Sequence, residues 1–251
     1  MVNANRVDGA SPGSLHAVLS LREHLLQIRD RSENPDGEQR LSEAERFQLL
    51  LTTPQNAVYD EAGEYLGQQI PFSIQPLGAI GLGRSQGVPI LADNDCAERV
   101  WSVNAAVIGE EVLEGGESSF TRLDLLQRNT FYSQWCAAPQ AGEPEFQVST
   151  VRPAVNLLSD GLDELRPPVP ADATDEFTRG RMQPYLNVTR QEFEREDYAQ
   201  GSTTELAGRG LYGDYALFIP RAVISLDGSP GLRLENIDDV LLRLDYVSVA
   251  R

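Results

Sequence analysis

Val240-Leu241-Leu242-Arg243-Leu244-Asp245-Tyr246-Val247-Ser248-Val249 is the stretch whose reading decides the fold. Val240, Leu242, Leu244 and Tyr246 recur at a period of two and share one face. Arg243 and Asp245 fall on the other, with Leu241 as the exception. That alternation is a strand with one face on a core. Working back from it, Tyr215–Ile219, Tyr185–Thr189, Phe146–Val151, Thr130–Cys136, Phe120–Leu126 and Val100–Ile108 read as further strands. Ala57–Asp60 and Glu64–Leu66 flank Glu61-Ala62-Gly63 as a hairpin, its second arm extended by Ile70–Ile74. Pro76–Pro89 is glycine-rich and without a period, and Gly161–Thr178 carries Arg166-Pro167-Pro168-Val169-Pro170; both read as loops. Short strands separated by Gly/Pro connections, without helices between them, predict a mainly β domain over 57–251, an antiparallel β-sandwich or jelly roll.

Upstream of residue 57 the period is different. After a polar lead-in, Ser14 can cap a helix in which Leu15, Val18, Leu19, Leu25 and Leu26 recur at helical spacing and which fades near Arg31. Asn34-Pro35-Asp36-Gly37 is a turn signal. Ser42 to Glu45 forms an S-x-x-E capping box opening a second helix through Phe47, Leu49, Leu50 and Leu51, stopped by Pro54. Residues 1–56 therefore predict a helical hairpin in front of the β domain.

Composition restricts function. Among 251 residues, 38 are acidic and 21 basic, a formal charge of −17, so a nucleic-acid partner would be repelled. All 21 basic residues are Arg, which removes every lysine-based mechanism. His16 and His24 are the only histidines and stand eight apart in the predicted helix, too far to share a metal as an i, i+4 pair. Cys96 and Cys136 form no C-x-x-C; free buried thiols are expected, because a disulfide requires an approach of about 6 Å and an oxidising compartment. No apolar run is long enough for a membrane helix, and the N-terminus lacks a signal-peptide core. A cytoplasmic chain is expected, released as part of a larger complex if at all.

Several motifs have a plain structural reading. Gly208-Arg209-Gly210-Leu211-Tyr212-Gly213 matches G-x-G-x-x-G, but a strand rather than a helix follows it, so it reads as a β-connection. Glu192, Glu194 and Glu196 could supply a glycosidase pair, yet in so acidic a chain they read as a solvated, Arg-paired face, with Arg190 and Arg195 at hand. Asp93-Asn94-Asp95 offers hard oxygen ligands suited to calcium but lacks EF-hand spacing, and reads as a turn leading into a strand. Trp101 reads as core. Tyr132 and Trp135 could make a carbohydrate-stacking platform, the second functional expectation, a lectin-like sandwich. Asn187-Val188-Thr189 is a glycosylation sequon, relevant only in a secretory pathway. No cofactor or metal is expected.

Three blocks over about residues 95–251 resemble, in order and rough spacing, the A component of bacterial Tc toxin complexes. Arg99-Val100-Trp101-Ser102-Val103-Asn104-Ala105-Ala106-Val107-Ile108-Gly109 resembles that family's R-x-x-S-V-S-x-x-I-P-x-x-x-G strand. Glu194-Arg195-Glu196-Asp197-Tyr198, then Gly208-Arg209-Gly210 and Leu217-Phe218-Ile219-Pro220, resemble its R-D-E-R-Y, glycine-rich and L-x-L-P succession. Asp239-Val240-Leu241-Leu242-Arg243-Leu244-Asp245-Tyr246 resembles its closing D-V-x-L-x-x-R-Y strand. The resemblance implies the non-catalytic, mainly β C-terminal region that docks the B component. Glu196-Asp197-Tyr198 reverses the family's acidic order, and the chain is too short for the channel, so pore formation and pentamerisation are not carried over. The expected function is a non-enzymatic assembly module with Arg195, Asp197 and Tyr198 as partner contacts. Its partner would be a large B-component-like protein or its own parent assembly, with self-association a further route.

Overall fold

The computed structural model describes residues 16–28, 41–74, 95–115, 122–134, 146–150, 177–195, 202–226 and 228–250. It is mainly β, with antiparallel sheets. The strands are β1 (His16–Ser20), β2 (Ala57–Tyr59), β3 (Tyr65–Ile74), β4 (Asp95–Ile108), β5 (Leu113–Glu114), β6 (Leu123–Gln134), β7 (Phe146–Thr150), β8 (Phe177–Met182), β9 (Tyr185–Leu186), β10 (Tyr212–Pro220), β11 (Gly231–Leu232) and β12 (Asp239–Ala250). The α-helices are α1 (Glu43–Thr52) and the single turn α2 (Arg190–Phe193).

A four-stranded sheet has the order β1-β12-β4-β9, all antiparallel except the short parallel β4–β9 pair. A six-stranded sheet runs β2-β3-β10-β6-β7, with β8 also on β6. β8 takes the first half of β6, Leu123–Arg128, and β7 the second, Thr130–Gln134. β5 and β11 form a separate ribbon.

Alternation decides what each sheet buries. On the four-stranded sheet Leu19, Val103, Ala105, Val107, Val240, Leu242, Leu244 and Tyr246 enter one core. Ile70, Phe72, Ile74, Leu123, Leu125, Tyr215, Leu217 and Ile219 of the six-stranded sheet enter the same core. Phe47 and Leu51 of α1 are fully buried there too. α1 begins where the capping box places it, with the Ser42 hydroxyl accepting from the Glu45 N–H and the Glu45 carboxylate from the Ser42 N–H.

The first half of the expected N-terminal helical hairpin is not a helix. His16–Ser20 is a strand paired antiparallel with Asp245–Leu241 of β12, and Leu21–Leu25 is one π-helical turn capped by the Ser20 hydroxyl. The apolar set fits both periods. Pairing with β12 satisfies the backbone of β1 and sends Val18 and Leu19 to opposite faces of the sheet, which a helical stripe would not do. The two histidines therefore do not share a helix, and His24 Nδ1 accepts from the Ser20 N–H at 2.9 Å.

Trp101 is half-buried and is not part of the core. Asp245 faces Ser102 while Tyr246 faces Val100, so Trp101 is the extra residue of a β-bulge. The bulge resets the alternation, which lets Val100 and Val103 both face inward. Similarly, the two strands expected at Phe120–Leu126 and Thr130–Cys136 are one strand, β6, with an irregularity opposite Asp214. Phe177–Met182, the first two residues of which fell in an expected loop, is a strand; Gly180 lets Leu206 pack close, since a Cβ there would lie 3.0 Å from Leu206 Cγ.

Candidate functional site

The connection leaving β9 crosses the outward face of the four-stranded sheet. Asn187 takes a positive φ of 53° and donates its N–H to the Val107 carbonyl, turning the chain away from β9. Thr189 then caps α2 in a capping box with Glu192, whose carboxyl is held below its usual range by hydrogen bonds from Thr189. Phe193 is fully buried against Val18, Ala106 and Leu241, with Tyr185 edge-on to its ring at 6.1 Å.

Under this turn lies Arg243, a fully buried arginine. Its Nε donates to Asp245 Oδ1 at 3.1 Å, and Asp245 Oδ2 accepts from the Ser102 hydroxyl at 2.6 Å. Its Nη1 donates to the carbonyls of Phe193, at 3.2 Å, and Arg195. Asp245 is 1% exposed, so charge and countercharge are both removed from water. The guanidinium thus fixes the C-terminal end of α2 and the residues after it to the centre of the sheet. Glu194 and Arg195 are exposed there, with Glu194 paired to Arg190 at 3.1 Å.

Of the sequence-derived contact residues, Arg195 is placed by this arrangement, while Asp197 and Tyr198 lie outside the described residues. Glu192 and Glu194 are used as cap and ion-pair partner on an exposed turn; Glu196 lies outside the described residues. For the carbohydrate platform, Tyr132 belongs to β6, its backbone between Tyr212 and Val148, and Trp135 lies outside the described residues. Asp95 opens β4, whereas Asp93, Asn94 and Cys136 are not among the described residues. Among the described residues no cluster of three or more His, Cys, Asp and Glu could hold a metal ion. No helix among them is long and apolar enough to cross a membrane.

The glycine-rich segment before β10 inserts Arg209 into a second buried network. Where β6 departs from regular pairing, Arg209 Nη2 donates to the Arg128 carbonyl at 2.8 Å and its Nε to Gln127 Oε1. Gln127 Nε2 donates to the Gly210 carbonyl and the Tyr215 hydroxyl, both at 2.7 Å, and that hydroxyl donates to the Leu211 carbonyl. Burial pulls the Arg209 guanidinium down to about 10 and pushes the Tyr215 hydroxyl well above its ordinary value. The G-x-G-x-x-G match is thus a plug for an irregular strand. Sequence reading missed Arg243 and Arg209 as organisers, because an arginine on a strand face or in a glycine-rich connection reads as solvent-facing unless something is known to pack over it.

The chain matches no family model and no curated protein.

Proposed function

We propose that the chain is a non-enzymatic partner-docking module, a β-sandwich that presents the corner after α2 to a large protein. Two inner faces sharing one core, with alternate residues contributed from each sheet, support the sandwich. The carrying observation for docking is the buried Arg243–Asp245 pair, which holds the Phe193 and Arg195 carbonyls while the side chain of Arg195 is exposed. A buried charge pair is an expensive way to stabilise a surface turn and a good way to fix its position. Arg195 is held by this arrangement, and with Asp197 and Tyr198 next to it in sequence the segment mixes charge with an aromatic, a composition that suits a protein contact. The resemblance of the same segment to the B-docking region of Tc toxin A components points to the kind of partner.

The test is a pull-down of the full chain with a B-component-like protein encoded nearby. A complex at micromolar concentration is expected, weakened about thirtyfold by Arg195→Glu combined with Tyr198→Ala. Absence of a complex at that concentration, or a complex indifferent to both substitutions, removes the reading.

A further inference from the structure

We propose that the outward face of the six-stranded sheet is a second docking surface, and that its occupant is an extended carboxylate-rich segment of a partner protein. The outward positions of β6 and β8 carry Arg128 opposite Phe177, Leu126 opposite Arg179, and Asp124 opposite Arg181. Leu126, Ala216 and Phe218 form an apolar floor, with Val58 and Phe177 packed against it. Arginines lie on this floor: Arg128 over the Phe177 ring at 5.7 Å and Arg179 over Phe218 at 5.6 Å. A guanidinium stacked by its face keeps its in-plane N–H donors for other partners. The Arg179 side chain is 48% exposed and Arg181 is exposed beside it, so both guanidiniums reach solvent.

Buried Asp124 sets the pattern from below. It receives both Arg122 Nε and Nη2 at 2.9 Å, with Arg179 at 3.5 Å. Arg128 lies 3.9 Å from Asp214, and the Arg181 N–H donates to Glu205. Carboxylates are therefore what this face already takes. Among the described residues, Arg122, Arg128, Arg179 and Arg181 outnumber Asp124, Asp214 and Glu205 by one, a positive local balance on a chain of −17. Arg179 and Arg181 stand two residues apart on one strand, about 7 Å, the spacing of alternate side chains on an extended segment. Three alternatives fit less well. A two-fold dimer through this face would set arginines against arginines. A nucleic acid carries a charge on every residue, about twice the density of a segment in which carboxylates alternate with neutral side chains, and so meets the field of the whole chain more strongly. A phosphopeptide needs converging donors on one anion, whereas these guanidiniums are spread along a strand.

This surface is on the other sheet from Arg243 and does not rest on the docking reading of the α2 corner. The test is fluorescence anisotropy of the full chain with a labelled ten-residue peptide of alternating Glu and Thr. Saturable binding is expected, weakening several-fold between about 50 and 200 mM salt. Arg179→Glu with Arg181→Glu should weaken it at least tenfold, and Arg181→Glu alone, which leaves the Phe218 and Asp124 contacts in place, about threefold. Arg195→Glu should leave it unchanged. No saturation by about 1 mM peptide, binding indifferent to the arginine substitutions, binding abolished by Arg195→Glu, or tighter binding of a phosphoserine–threonine peptide or an oligothymidylate each overturns the proposal.

Discussion

The outward faces of the two sheets carry the same kind of sequence and end differently. On β12, Leu241, Arg243 and Asp245 alternate outward; on β6, Asp124, Leu126 and Arg128 do. Over the four-stranded sheet the chain crosses back as β9 and α2, so Arg243 and Asp245 are sealed beneath Phe193. On the six-stranded sheet Arg128 and Arg179 lie on the Phe177 and Phe218 rings, with their side chains 46% and 48% exposed. One face buries both members of its charge pair; the other buries Asp124 but leaves its arginines about half exposed. The difference should appear in what each charge contributes to stability.

Breaking Arg243 should have the largest effect. Arg243→Ala leaves Asp245 buried without its counterion and frees two backbone carbonyls, at a cost of about 3–5 kcal/mol in urea unfolding. Arg243→Met with Asp245→Leu should recover most of that loss, because no buried charge remains. A cost under about 1 kcal/mol for the single variant would mean the two faces are energetically alike. On the other sheet Asp124→Ala should cost less, about 2 kcal/mol, since Arg122 and Arg179 can return to solvent. If it costs as much as Arg243→Ala, the exposed arginines are not the reason for the difference.

The smallest effect concerns pH. Asp239 opens β12 and accepts from the Ser20 hydroxyl at 2.6 Å, the Arg22 N–H at 3.0 Å and the Val240 N–H at 2.8 Å. Burial nonetheless raises its pKa above the usual carboxylate value. A raised folded-state pKa contributes stability that is fully present below the unfolded value and is lost as pH rises through the folded one. The stability of the native chain relative to Asp239→Asn should therefore improve as pH falls from 7 toward 4, by less than about 1.4 kcal/mol per pH unit. Urea titrations across that range measure it; an opposite slope would mean that the three donors outweigh burial and that this end of β12 fastens like Arg243.

Much of the β architecture was legible. β12, β10, β7 and the β2–β3 hairpin follow from alternation and turn residues, and α1 from its capping box, because each signal is local. β8 was not: Phe177-Thr178-Arg179-Gly180-Arg181-Met182 contains a glycine and two arginines, and it is the pairing with β6, about fifty residues away, that makes it a strand. β1 was misread because five apolar residues satisfied a helical spacing, and the edge of β12 that pairs with Val18 and Leu19 lies more than two hundred residues away. Of the candidate site, Arg195 could be named from its motif, but Arg243, which positions it, resembled any polar residue on the solvent side of a strand.

The sequence by itself determined the alternation that builds the sheets, the cap that starts α1 and the strongly acidic charge, all of which depend on residue type and near neighbours. Tertiary structure alone decided which outward faces are covered. It also decided where bulges reset the inward set, as at Trp101, and which arginines are buried, because solvent exposure depends on chain segments remote in sequence that no local pattern encodes.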